Sequence, residues 1–299
     1  MKRRDFIKWS LATGIALSSG SALAGVTKNI MTDKNREEAI VYAGIKDIEG
    51  LFSQIHPGDF IIIGGSPGIS KVDISYRLGR HFTGIDMKKA VMIYNYEISR
   101  EKMVLHILTR GLYDEDEDLL LRASSNNLYM NDWVKLTKAA ADVSNYPIFI
   151  DDSAATIELL CNKTKALNSM QQQGLGIVIV DCLQLINRSK YCKNMEENMF
   201  EASKALKCLA TEMNIPVVAF SYLRKNAELR ADKKPVLADL GIIEQHADMV
   251  VFLQNKNIDA GKQLHADRQV KVIVAKNKYG ETGTIQLPYH GDYFNLDCS

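Results

Sequence analysis

Seven stretches of the chain are short, continuously apolar and rich in β-branched residues. They are Asp59–Gly65, Ala90–Tyr94, Pro147–Asp151, Gly176–Asp181, Ile215–Phe220, Asp248–Leu253 and Val270–Ala275. Runs of this length without polar alternation suit strands covered on both faces, as in a parallel sheet between helix layers. The segments between them carry helical spacing. From Glu196 to Met213, for example, Met199, Ala202, Leu206, Leu209 and Met213 recur on one face. Strands alternating with helices predict an α/β domain with a mostly parallel, twisted sheet and helices on both faces. The acidic stretch Asp114–Asp118 reads as a solvated loop or helix edge, and no internal repeat or low-complexity tract interrupts the pattern.

The N-terminus departs from this pattern. Lys2, Arg3, Arg4 and Lys8 precede an uncharged stretch from Trp9 to Leu23 that ends in Ala22-Leu23-Ala24. A basic start, an apolar middle and a small-residue exit are the layout of an export signal. The paired arginines before Asp-Phe-Ile-Lys resemble a twin-arginine signal. The alternative is a basic helix that stays attached. Residues 1–24 are therefore expected to be a signal-like segment, 25–41 a polar linker and 42–299 the folded domain. A used signal would send the chain to the periplasm; a working intracellular motor would keep it in the cytoplasm. The stretch is short and rich in Gly and Ser, so no stable membrane insertion is expected.

Composition adds little. Basic and acidic residues number 37 and 36, so any nucleic-acid binding must come from a local patch. Five cysteines without CxxC spacing argue against a zinc site or a disulfide framework, and Cys182 reads as a buried small hydrophobe.

Candidate chemistry lies where strands end, because an open α/β sheet binds ligands at the carboxyl ends of its strands. The first strong strand runs into Gly64-Gly65-Ser66-Pro67-Gly68-Ile69-Ser70-Lys71-Val72. A phosphate loop needs glycines to turn N–H groups inward, a lysine for the phosphates and a hydroxyl for Mg²⁺. Gly65 and Lys71 keep this frame. Ser70 replaces the second glycine, and Val72 stands where the hydroxyl belongs. Alone, the segment fits a glycine-rich turn without nucleotide equally well. Asp181 closes an apolar strand, either as a Mg²⁺ ligand or as a strand-end cap. Glu97 follows the Ala90–Tyr94 strand, placed to polarise a water or simply to open a helix.

Taken in order, these segments resemble the motor domain of DnaB-family replicative helicases, a RecA-like P-loop ATPase fold. The resemblance is carried by His56–Gly65, Asn95–Glu101, Asp181-Cys182-Leu183-Gln184-Leu185, Leu206–Ala210, Asn214–Val218, Arg230–Pro235, Ile243–Asp248 and Ala275–Gly283, spanning about residues 42–296. It implies a ring hexamer, or association with a helicase, that binds ATP and Mg²⁺ between subunits and moves on single-stranded DNA. It further implies Gly65, Pro67, Ser70, Lys71 and Val72 around ATP, Asp181 on Mg²⁺, and Glu97 as general base. Lys276 and Lys278 would reach a neighbour's nucleotide, and Arg230 and Gly241 would lie in the DNA-gripping loop.

The departures are specific. Val72 removes the Mg²⁺ hydroxyl and Lys278 replaces an arginine, losing its planar fork. Tyr222 replaces a glutamine that senses phosphate. Leu240 runs directly into Gly241, where the family has Arg-Glu-Ser. The export-like segment stands where the family has an N-terminal collar domain. The expectation is a helicase motor with impaired ATP turnover; the alternative is a non-catalytic nucleotide-, DNA- or partner-binding module, in either the cytoplasm or, if exported, the periplasm.

Overall fold

The computed structural model describes residues 48–65, 69–85, 89–110, 118–224, 230, 234–255 and 268–289. The export-like segment, the linker, the acidic stretch up to Glu117, Cys298 and Pro67 lie outside the described residues.

Eight strands form one sheet: β1 (Phe60–Gly65), β2 (Ala90–Asn95), β3 (Ile148–Asp151), β4 (Leu175–Asp181), β5 (Val217–Tyr222), β6 (Met249–Asn255), β7 (Arg268–Asn277) and β8 (Gly283–Tyr289). Their spatial order is β3-β2-β4-β5-β1-β6-β7-β8. The first six run parallel, while β7 and β8 are antiparallel additions at one edge. All seven anticipated strands are present. The eighth escaped notice because Gly283–Leu287 alternates partly exposed with buried positions, as a strand paired on one side does, instead of forming a continuous apolar run.

Strand alternation divides the core. On β1, Ile61 and Ile63 point into one apolar cluster and Phe60 and Ile62 into the other. The first cluster is covered by α1 (Ile48–Phe52), α2 (Lys71–Ile85) and α3 (Arg100–Arg110), through Phe52, Ile74, Leu78 and Met103. The second is covered by α6 (Ile157–Met170) and α7 (Met195–Met213), through Leu160, Ala202, Leu206 and Leu209. Between them in sequence, α4 (Leu119–Ser124) and α5 (Met130–Val143) form a satellite cluster with α3 around Leu108, Leu119 and Leu136. Among the described residues the cysteines are free, with Cys182 fully buried, and no helix is long and apolar enough to cross a membrane.

Helix starts follow local chemistry. The Asn194 side chain accepts from the Glu197 N–H at 2.8 Å to begin α7, and Thr156 caps α6. The last turn of α7 closes on Asn214 in the left-handed region (φ 52°), a conformation asparagine tolerates.

A polar hub fixes the amino end of β1. Buried Asp248 accepts the Phe60 N–H at 2.9 Å, the Lys207 ammonium at 2.6 Å and the Lys278 ammonium at 3.3 Å. Lys207 also donates to the Gly58 carbonyl at 2.9 Å. Burial alone would raise the Asp248 carboxyl, but the bonds from Lys207, the Phe60 amide and Lys278 outweigh it and hold it below the usual carboxylate range. Its contribution to stability is therefore complete above the unfolded-chain value of about 3.9 and is lost as pH falls through the lower folded value. Asp248→Asn is expected to cost about 2–3 kcal/mol in urea unfolding at pH 7, because Lys207 loses its partner. The deficit should shrink as both proteins are titrated below about pH 4. An equal deficit at pH 7 and pH 3 would contradict this account.

Candidate functional site

Because β1, β2, β4 and β5 are parallel, their carboxyl ends open on one edge of the sheet, and the candidate residues gather there. Lys71 begins α2, the first helix after β1. Its ammonium pairs closely with the Glu97 carboxylate and lies 3.6 Å from Asp181 Oδ1. Asp181 is the last residue of β4, and Glu97 sits two residues past the end of β2. Positions far apart along the chain thus converge on one cation.

The electrostatics follow from burial. Burial alone would lower the Lys71 amine, but the Asp181 and Glu97 carboxylates outweigh it and hold it above its ordinary value. Burial pushes the Asp181 carboxyl up to about 7 against the pull of Lys71, and Glu97 adds like-charge repulsion. Asp181 Oδ1 is buried and accepts no hydrogen bond. An oxygen left in this state is poised for a cation or a proton donor, since an unmet buried acceptor is costly.

Glu97 is aimed by a residue that the sequence did not single out. Fully buried Asn95 accepts the N–H groups of Glu97 and Ile98 through Oδ1, at 3.0 and 3.1 Å. This turn carries the chain from β2 into α3 with Glu97 facing Lys71. An Asn ending an apolar strand just before Glu was the available signal. Gln184 is a second such residue. It donates to Ser221 Oγ at 2.9 Å and to the Tyr222 carbonyl at 3.2 Å, and accepts the Tyr222 N–H at 3.1 Å. The segment after Asp181 is thereby locked to the end of β5.

The candidate positions around the start of α2 have structural roles. Ser70 Oγ accepts the Asp73 N–H at 3.3 Å, capping α2. Val72 packs, half-buried, against the apolar cluster beneath α2. Gly65 faces open space: a Cβ there would touch nothing within 4 Å. Gly64 instead is required by packing, since a Cβ would lie 2.8 Å from Leu223 and Phe252 carbons.

Lys276 and Lys278 lie elsewhere. Asn277 pairs with Met249 at the start of β6, and Met249 is beside Ile61. Both lysines are therefore at the amino edge of the parallel strands, roughly 15 Å or more from the Lys71 edge at about 3.3 Å per residue. Lys276 donates to the Glu244 carbonyl at 2.9 Å, and Lys278 rests on Asp248. Within one chain they do not join Lys71.

Arg230 and Gly241 share a frame around buried Asp239. The Arg230 guanidinium binds both Asp239 carboxylate oxygens and the Lys234 carbonyl. Gly241 adopts φ +68°, and a Cβ there would lie 2.5 Å from the Arg224 guanidinium. Any side chain at 241 would be strained in backbone and would have to displace Arg224.

Comparison with known proteins identifies the family. The family model described as the DnaB-like helicase C terminal domain matches residues 41–297. The replicative DNA helicase DnaB of Geobacillus stearothermophilus is 31% identical over 271 residues, covering 89% of this chain and 58% of that protein. DnaB of Rickettsia typhi is 31% identical over 311 residues, covering 94% of this chain and 61% of that protein. The chain thus spans about three fifths of the curated relatives it matches. Among solved structures, one described as an ATPase domain superposes with a TM-score of 0.70 at 26% identity, covering 81% of this chain and 84% of that one. A DnaB-like replicative helicase, described together with its interactions with primase, gives 0.68 at 25% identity, over 79% of this chain and 56% of that one. With a RecA-like sheet, a lysine facing two strand-end carboxylates and a match along nearly all of its folded length, the chain belongs to the DnaB-like helicase C-terminal domain family.

Proposed function

We propose that this domain is an ATP-driven DNA-translocating motor of the replicative-helicase kind, slow in turnover and assembled as a ring. The observation that carries the reading is the convergence of Lys71, Glu97 and Asp181 at the carboxyl edge of the sheet. Lys71 supplies a point charge for the β- and γ-phosphates of a nucleotide, and a polyphosphate would compete with Glu97 for it. Glu97, released and still held by Asn95, is placed to accept a proton from an attacking water.

Mg²⁺ fits the site in a limited way. The open acceptor of Asp181 suits a hard cation that takes one or two carboxylates and fills its remaining positions with water and phosphate. Among the described residues no group of three His, Cys, Asp or Glu side chains could hold a metal by itself, so the ion would arrive with the nucleotide. When bound it neutralises phosphate charge. Val72 contributes no oxygen, which is the physical reason to expect slow turnover.

The separation of Lys276 and Lys278 from Lys71 supports a ring. At the opposite edge of the sheet, these lysines can stabilise phosphate charge only in an adjacent subunit. Single-stranded DNA would run past the segment framed by Arg230, Asp239 and Gly241. The packed Val72 favours one second reading, a module that binds nucleotide or DNA without turning over.

Three measurements test this. Glu97→Gln should lower single-stranded-DNA-stimulated ATP hydrolysis by about 10²-fold or more while leaving affinity for a fluorescent ADP analogue within a few-fold. Val72→Thr, nearly isosteric, should raise Mg²⁺-dependent hydrolysis by about tenfold or more; an unchanged rate would favour the non-catalytic module. Finally, Lys71→Ala and Lys278→Ala chains should each be inactive, yet regain part of the activity when mixed. Of the two orientations a mixed interface can take, the one that presents the Lys278→Ala chain's site to the Lys71→Ala chain unites an intact Lys71 with an intact Lys278 from the neighbour. A mixture as inactive as its components would count against shared sites.

A further inference from the structure

Tyr222 is an aromatic side chain left 40% exposed at the end of an otherwise buried strand. In strand register it lies opposite Gly65, the last residue of β1. Its backbone is clamped on both its N–H and its carbonyl by Gln184, so the ring is directed by the fold and not by a free loop. The Lys71 ammonium lies 4.4 Å from the ring centroid, well within the range of a cation–π contact. The outer surroundings of Tyr222 belong to a groove of about 350 Å³ with Met195, Met199, Leu223 and Ile242.

Resting on the nucleotide-site reading, we infer that Tyr222 is a positioning residue for phosphate binding: its ring face holds the Lys71 ammonium at the carboxyl edge of the sheet. Lysine has four rotatable bonds, and fixing them costs entropy. Glu97 and Asp181 also hold the ammonium, but both are anions, and an arriving polyphosphate must displace the close pair with Glu97. The ring differs in kind. It attracts the cation from the side without presenting an anion, so it repels no phosphate and retains Lys71 after Glu97 lets go. The contact is partly open to water, which places it toward the weaker end of cation–π strengths. The proposed function belongs to the π face; the hydroxyl faces the Cys182 thiol and Glu97 and takes no part in the ammonium's phosphate-binding role.

The test is titration of the full chain with a fluorescent ADP analogue and Mg²⁺. Tyr222→Phe keeps the ring and should bind within about twofold of the unaltered protein. Tyr222→Leu keeps bulk but has no π face and should bind about 3- to 10-fold more weakly. Tyr222→Met, also without a ring, should weaken binding alongside Leu and serves should Leu lower the melting temperature. Rescue by Phe separates ring contact from simple space-filling, and melting curves confirm that folded proteins are compared. Equal affinity for the ringless and unaltered proteins overturns the inference, as does a loss in Phe as large as in Leu. If the unaltered protein binds no nucleotide, the phosphate-site reading falls and the inference falls with it; binding that ignores Tyr222 sinks the inference alone.

Discussion

The structure depends on β1 being paired on both edges and covered on both faces. Its backbone is bonded to β5 on one side and β6 on the other. Its side chains alternate between the two halves of the core. A strand in that position must be apolar throughout, because an unpaired polar group there would cost free energy with nothing to offset it. Phe60-Ile61-Ile62-Ile63 meets the requirement, and the two glycines that follow mark where it ends. Lys71, at the start of α2, stands at the carboxyl edge of the sheet.

Electrostatics then divide the two edges. At the carboxyl edge a cation faces two carboxylates, one of them buried with an open acceptor. At the amino edge the balance is reversed: buried Asp248 collects Lys207, Lys278 and the Phe60 amide and satisfies them together. One cluster has unmet capacity and the other is closed. This contrast is why the first reads as a site and the second as a fastening, although Lys278 links the fastening to a surface that a neighbouring molecule could use.

Several positions around the Lys71 cluster are bound into local structure. Ser70 caps a helix, Val72 packs into the core, and Tyr222 cradles the lysine beside it. Gly241 keeps a backbone conformation suited to glycine, with Arg224 filling the space beside it.

The parallel core was legible in the chain, because continuous apolar runs and helical spacing report burial directly and locally. The sequence also named Lys71, Glu97 and Asp181, since each lies at a recognisable boundary where a strand ends or a helix begins. It missed β8, whose half-exposed alternation resembles ordinary surface, and it assigned no role to Asn95 or Gln184, whose partners are chosen by a turn and by a strand 37 residues away. Only the tertiary structure decided that Lys276 and Lys278 stand at the edge opposite Lys71. Strand direction sets that placement, and an apolar run reads the same whether it travels up the sheet or down. The same holds for Tyr222: its identity is written in the chain, but its place over Lys71 depends on β5 lying beside β1 in register, a long-range pairing that no local pattern encodes.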